Sequence, residues 1–564
     1  MALQRLLTDY RREFVRGDIT AGLAVTALMV PHGMAYAELA GVPAVTGLYT
    51  TVAAVITYAL IGPSRLLLVG PDSALAPLIA AAIALTASGS DPATAIAIAA
   101  VLALMSGALC LLAGLARLGS IAELLSKPVQ LGYLNGLAIV MVTSQLAKLA
   151  GFSTDREMPI QQSIDFVSGV FEGAAEPIAL MIGLLGVATI VVLARTLVWI
   201  PGVLVVVVAS TALVAALGFA DGTVDVVGAL PAGFPAPAWP SIDAGSIPSL
   251  MLASVGLAWV TLSDTTALSR GFAGRTGEHI DPNDEIMALG VANLAAGAFG
   301  GFPVSASTTR TTTSAAAGGN TQLVGFISAA LVLLLLIAGG DVVGYLPSAA
   351  LAAVVVAAAI HLFDAGQVRW LYQVRRSEFL LCISATTAVV LLGVLNGLAV
   401  AVGLSIANFI RRVWRPYDAV LGRIDGRKGY HDRSRHPEAR LVPGLVLFRF
   451  DAPLFFANSD HFERRIHALL SEADGSMRRL VIAAEPVTDI DTSAAAMLEL
   501  LLRDLERAGV ELAFAELKGP VKDRLRNYGL FDRIGADRFH STIGSAVRSY
   551  RDDHEVEWTN WDER

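Results

Sequence analysis

The chain has 564 residues and a formal net charge of −8, with 54% hydrophobic and only 16% charged residues and a mean hydropathy of +0.61. Such a composition excludes an ordinary water-soluble protein, and no basic patch with interleaved aromatics speaks for nucleic acid. The two cysteines, Cys110 and Cys382, sit in apolar runs and suggest neither a disulfide nor a metal framework.

The opening "MALQRLLTDYRREFVRGD" is too charged and too long for a cleavable signal, and the first apolar run contains Pro31, His32 and Glu38. Residues 1–17 therefore read as an amphipathic cytoplasmic lead-in. Between about Gly22 and about Ile410, apolar blocks near the length of a bilayer-crossing helix recur. Spans are expected near 19–40, 45–62, 72–88, 93–115, 128–147, 176–194, 200–218, 248–267, 284–301, 306–318, 321–339, 346–360, 379–395 and 397–413. The even-numbered connections carry Arg65, Arg117 with Lys127, Arg195, Arg270 with Arg275, and Arg369 with Arg375 and Arg376; the odd-numbered ones carry almost only Lys148 and Arg156. Lysine and arginine collect on the cytoplasmic side, so both termini are placed there. Two seven-span halves would then enter from opposite sides, making the second an inverted copy of the first. The expected fold is a polytopic α-helical membrane protein with a soluble α/β tail.

Two segments break the run of uniform spans: "VGPDSALAP" from Val69 and "GFPVSASTT" from Gly301. Each lies about fifty residues into its half, and Gly/Pro-interrupted segments at matching positions point to a transporter site near the midplane. A helix that begins in mid-membrane leaves its first amides unpaired, and its dipole places about +0.5 of a charge at that end. Asp72, Ser73, Ser305, Ser307 and Thr308 are N-cap types, so part of this set serves capping alone. Arg310 is harder to explain structurally, because an arginine inside a span is costly unless it faces a partner or a wet cavity. Added to two helix ends it gives about +2, which suits a divalent anion.

Five stretches, "DITAGLAVTALMVPHGMAYAELAGVPAVTGLY", "SRLLLVGPDSALAPLI", "LSKPVQLGYLNGLAIV", "NDEIMALGVANLAAGAFGGFPVSASTTRT" and "RRSEFLLCISATTAVVLLGVL", resemble the successive signatures of the SulP anion transporters, the sulfate permease family. The tail, with "RLVIAAEPVTDIDTSAAAMLELLLRDLERAGVELAFAEL", resembles that family's STAS domain. The resemblance implies a 7+7 inverted repeat split into a core and a gate, a homodimer, and a pocket between the starts of the third and tenth spans. In this chain that pocket would comprise Asp72, Ser73 and Ala74 facing Ser307, Thr308, Thr309 and Arg310, with His32 and Tyr36 from the first span. His32 departs from a family glutamine; it adds a titratable site or simply donates a hydrogen bond as glutamine would. Asp264 takes the position of a family acidic residue tied to cation coupling, and a fixed ion pair with Arg310 is its structural alternative. Position 260 is Val260 rather than a second acid, which favours protons over sodium. Glu38 reads mainly as an interfacial residue.

From Arg411 onward charge returns. The expected division is a transport domain over 18–415, a linker over 416–440, a cytoplasmic STAS domain over 441–555 and a tail over 556–564. "GLVLFRFDAPLFFANS" reads as two strands and the rest as alternating helices and strands in a small α/β sandwich. Thr492 and Ser493 follow the "DID" loop at the position of a phosphorylated serine in anti-sigma-factor antagonists, with helix capping as the plainer role.

No nucleophile with a general base and no metal-ligand cluster is found, so no enzyme, cofactor or metal is expected. The leading expectation is a secondary active sulfate transporter of the inner (plasma) membrane, driven by proton symport. Bicarbonate or C4-dicarboxylate transport, an uncoupled exchanger or channel, and a membrane-anchored STAS regulator are the alternatives.

Overall fold

The computed structural model describes residues 10–86, 91–119, 126–154, 158–197, 201–220, 223–276 and 280–558. It divides into two compact units, Met1–Ile406 and Ala407–Arg564. Arg156 and the Arg275 side chain, counted above for orientation, lie outside the described residues, as do the ends of the lead-in and tail.

A helix lies under each of the fourteen expected segments. The first half holds α1 (Phe14–Leu39), α2 (Ala44–Ile61), the two-residue β1 (Val69–Gly70), the short α3 (Ala76–Thr86), α4 (Pro92–Leu115), α5 (Lys127–Leu149), α6 (Pro159–Phe171), α7 (Pro177–Thr196) and α8 (Gly202–Leu217). The second repeats that order with α9 (Ile247–Thr276), α10 (Pro282–Ala298), β2 (Ser305–Ala306), the short α11 (Thr308–Ala316), α12 (Leu323–Ala338), α13 (Gly340–Gly344), α14 (Ser348–Leu362), α15 (Ala365–Val374), α16 (Arg376–Leu392) and α17 (Val394–Trp414). In both halves two long helices precede a two-residue strand and a short helix. Among the described residues eight helices are long and apolar enough to cross a bilayer.

The strongest helix contacts fall in two sets: α4 lies on α10 and α1 on α12, while α5 lies on α14 and α16, and α14 on α7; α14 also packs on α1 and joins the two. Between α4 and α10 the backbones nearly touch: a Cβ on Gly107 would meet the Gly290 carbonyl oxygen at 2.8 Å, and one on Gly290 would meet that of Gly107 at 2.9 Å. Lipid tails give helices no hydrophobic reason to associate, so close backbone packing supplies the attraction instead. Between α5 and α16, Thr386 Oγ1 donates to the Gly132 carbonyl at 2.9 Å.

The second unit carries a six-stranded sheet in the order β4 (Tyr430–Asp432), β3 (Asp418–Arg423), β5 (Leu445–Phe450), β6 (Arg479–Ala483), β7 (Glu511–Ala515) and β8 (Phe539–His540). Strands β5 to β8 run parallel, while β3 pairs antiparallel with both β4 and β5. Alternation sorts the residues of β5: Phe448 and Phe450 pack under α18 (Ser459–Glu472) and α19 (Thr492–Arg507), whereas Leu447 packs with Val547 and Tyr550 of α22 (Ile543–Asp553). Two short helices, α20 (Gly519–Asn527) and α21 (Leu530–Ile534), lie between β7 and β8. Arg479, at the start of β6, has no exposed side-chain surface. Its Nε donates to Glu511 Oε2 at 2.6 Å and its Nη2 to Asp553 Oδ2 at 2.7 Å, which ties α22 to the sheet.

Two local expectations fail here. The stretch 416–440, read as a linker, contributes β3 and β4 to the sheet. The second strand expected in "GLVLFRFDAPLFFANS" does not form, and Leu454 makes only an isolated bridge to Ile490. Asn458 takes the backbone instead, donating to the Pro453 carbonyl at 2.8 Å and accepting from the Phe455 amide at 3.0 Å. That local closure competes with a ladder for the same groups.

Candidate functional site

Strands β1 and β2 pair antiparallel, Val69 with Ala306 and Gly70 with Ser305, so the two interrupted segments cross. Beyond the strands, the Ser307 amide donates to the Leu68 carbonyl at 3.0 Å and the Leu68 amide to Thr311 Oγ1 at 3.2 Å. Irregular backbone at membrane depth must be satisfied by protein, and buried side chains do this. Asn293 of α10 accepts from the Val304 amide at 2.9 Å and donates to the Val304 carbonyl at 3.1 Å. Thr50 of α2 accepts from the Phe302 amide at 3.1 Å, and Gln322 donates to the Ser64 and Leu67 carbonyls at 2.9 and 2.8 Å. None of these was singled out from sequence. A polar side chain in an apolar span was the available signal.

Arg310 sits in the first turn of α11 and is 1% exposed. Its Nη1 donates to the Pro71 carbonyl at 2.7 Å, while Nε and Nη2 are buried without a hydrogen-bond partner. No carboxylate among the described residues lies within salt-bridge distance of it. The guanidinium lies against Gly70, where a Cβ would be 3.4 Å from Cζ, Nη1 and Nη2, and Gly70 has φ +152°, a backbone region unsuited to other residues. A wholly buried cation with one hydrogen bond and two free donors on one fork is a costly arrangement that an anion would complete.

The other expected site residues divide by role. His32 and Tyr36 stack on one face of α1, with ring centroids 5.4 Å apart and an interplanar angle of 12°. Both interact electrostatically with Arg310, and the Tyr36 hydroxyl reaches Ser73. Asp72 Oδ1 accepts from the Ala74 amide at 2.9 Å, so the aspartate closes the turn that leads into α3. Ala74 is buried beside it. Ser307 is the N-cap of α11 and accepts from the Arg310 amide at 3.4 Å. Thr308 and Thr309, the first two residues of α11, are exposed, and their amides have no acceptor within the helix. Ser305 is fully buried with its hydroxyl 3.5 Å from Thr265 Oγ1, turned to α9 rather than to the guanidinium. Glu38 lies at the end of α1, half-buried, within electrostatic reach of Lys148.

Asp264 lies on α9 and does not pair with Arg310. Its Oδ1 is 3.5 Å from Gln130 Nε2 of α5, and Asp72 and Tyr133 interact with it electrostatically. The ion-pair alternative is therefore replaced by an amide contact from another helix. In the second unit, Thr492 and Ser493 are exposed at the start of α19, but neither caps it: Asp491 does, accepting from the Ala494 amide at 2.8 Å. The residues expected to line the anion pocket lie in the first unit, those around Asp72 and Arg310 in segments that pair through β1 and β2, whereas Thr492 and Ser493 belong to the second unit.

Two family descriptions match the chain: the sulfate permease family over residues 15–385 and the STAS domain over 436–546. "Probable sulfate transporter Rv1739c" of Mycobacterium tuberculosis is 39% identical over 543 residues, 96% of each chain. "Sulfate transporter 4.1, chloroplastic" of Arabidopsis thaliana is 28% identical over 564 residues, 96% of this chain and 81% of its own. Among solved structures, SLC26A9 superimposes with a TM-score of 0.88 at 20% identity, over 98% of this chain and 93% of that one. The transmembrane domain of the cyanobacterial bicarbonate transporter BicA superimposes with a TM-score of 0.60 at 22% identity, over 70% of this chain and 98% of that one.

Proposed function

The chain belongs to the sulfate permease family, a family of transporters rather than enzymes, and on that premise we propose that it carries sulfate across the membrane by proton symport. The observation behind this reading is Arg310, buried at 1% exposure with two unpaired donors beside the start of a broken helix. The sulfate dianion accepts from Nε and Nη2 of the guanidinium and from the first amides of α11, at Thr308 and Thr309. His32, Tyr36 and Ser73 complete the polar wall, with Asp72 and Ser307 holding the helix ends in place and Ala74 leaving room.

Charge decides the coupling. Arg310 and two helix ends contribute about +2, which matches sulfate. If Asp72 and Asp264 are both ionised they cancel that charge, and a proton on Asp264 restores about half of it. Anion and proton therefore bind best together, which is symport in electrostatic terms. The site residues ride on the group formed by α1 to α4 and α9 to α12. An elevator-like displacement of that group against α5, α7, α8, α14, α16 and α17 would expose them to each side in turn. The arginine distribution favours a cytoplasmic N-terminus and STAS domain, and the membrane proposed is the plasma membrane. A homodimer follows from the family resemblance.

The test is uptake of labelled sulfate, bicarbonate and succinate into proteoliposomes under an imposed proton or sodium gradient, for the native protein and Asp264→Asn. Sulfate uptake driven by protons and made indifferent to pH in the variant supports the reading. Uptake of another anion alone would overturn the substrate, and sodium-driven uptake the coupling ion.

A further inference from the structure

We propose that Gln130 and Tyr133 of α5 are positioning residues for Asp264, a pair of donors on the opposing helix group that sets how readily this carboxylate takes up the coupling proton. The inference rests on the reading of Asp264 given above. Three observations carry it. Gln130 and Tyr133 are three residues apart on α5 and so share a face, and Gln130 Nε2 lies within hydrogen-bonding reach of Asp264, 3.5 Å from Oδ1. Tyr133 is 2% exposed, and its hydroxyl is buried without a hydrogen-bond partner while lying within the field of Asp264. A buried tyrosine hydroxyl normally finds a partner, so an orphaned one beside a carboxylate marks a donor whose acceptor moves. Lastly, α5 packs chiefly on α14 and α16 and touches the group that carries Asp264 only lightly, through α3 and through Gln130 itself.

The other groups around Asp264 do not substitute for these donors. Among the described residues Asp72, before α3, is the one carboxylate acting on it, and it only repels its charge. On α4, Cys110 packs with Ala258, and on α10, Glu285 accepts from Ser269 at 3.0 Å; both contacts fall more than a turn away along α9. Donors from α5 favour the ionised carboxylate, and withdrawing them favours the protonated one. When the two helix groups shift relative to one another, Asp264 gains or loses its donors, so proton affinity becomes a property of the transport state. That supplies the differential interaction which coupling requires.

The experiment is the pH profile of initial sulfate uptake by proteoliposomes of the full chain, comparing native protein, Gln130→Leu, Tyr133→Phe, the double variant and Asp264→Asn. The double variant is expected to move the midpoint to higher pH, on the order of a tenfold change in half-saturating proton concentration. Each single variant should move it part of the way. A merely structural role would scale uptake equally at every pH and leave the midpoint in place, and that outcome overturns the inference. The Asp264→Asn arm separates the two claims. If it abolishes pH dependence while the double variant does not move the midpoint, the positioning role alone fails. If it leaves pH dependence intact, the coupling reading fails first and takes this inference with it.

Discussion

Replacing Arg310 by methionine isolates what this residue does when no anion is bound. In the protein alone the guanidinium makes one hydrogen bond, to the Pro71 carbonyl at 2.7 Å, and leaves Nε and Nη2 unpaired in a 1% exposed position. Methionine fills a similar volume. It would orphan the Pro71 carbonyl at a cost of about 1–3 kcal/mol. It would also relieve the protein of an unpaired buried cation, whose effective penalty is several kcal/mol. The net expectation is a variant as stable as the native protein, or more so, without sulfate. With sulfate the order should reverse, because a ligand at a hundredfold excess over its Kd stabilises the native state by about 2.7 kcal/mol and the variant has lost its main anion contact. The assay is thermal unfolding of both purified proteins in detergent across a sulfate titration, with equal ionic strength held by gluconate. Native protein should rise with sulfate and cross above a flat Arg310→Met line. A variant that melts far below the native protein without sulfate, or that gains as much from sulfate, would refute the assignment of Arg310 to the anion.

Other perturbations have equally specific outcomes. Asn293→Leu leaves both the Val304 amide and carbonyl without their partner, at about 1–3 kcal/mol for each orphaned group, and should lower thermal stability and sulfate uptake together. In the second unit, Asp491→Ala removes the cap of α19 and the acceptor of the Phe456 amide, which should cost about 1 kcal/mol in unfolding measurements, whereas Thr492→Ala and Ser493→Ala should cost little. The hydrogen bond from Arg479 holds the Asp553 carboxyl below its ordinary range. A depressed native value means that its contribution is present above the unfolded value of about 3.9 and is lost as pH falls through the native one. Hydrogen exchange of α22 in the full chain should therefore accelerate at acid pH, and Asp553→Asn should show that faster exchange already at neutral pH.

What the sequence disclosed and what it hid have different physical origins. Spans were legible because each must supply about twenty apolar residues to cross the hydrocarbon. The broken segments were legible because Pro71 and Pro303 sit where a uniform span would run on, and Arg310 because a cation there needs a reason. The contacts that hold the site are another matter. Gln130 and Asp264 are 134 residues apart, and Gln322 reaches Ser64 across 258, so neither pairing leaves a local pattern. Capping was misplaced in α19 by one residue, since Asp, Thr and Ser at 491–493 are all cap types and only the backbone at Asp491 is extended. Strands β3 and β4 were missed because each is short and interleaved with charged residues, and β3 is defined by pairing with β5 about thirty residues on.

The claim that sulfate and a proton cross together is tested most directly by a pH dye trapped inside proteoliposomes. An inward sulfate gradient is imposed at equal initial pH on both sides, with potassium and valinomycin clamping the potential. Symport predicts that the lumen acidifies as sulfate enters, and that Asp264→Asn admits sulfate without acidification. Sulfate entry by the native protein with no change in lumenal pH would contradict the account.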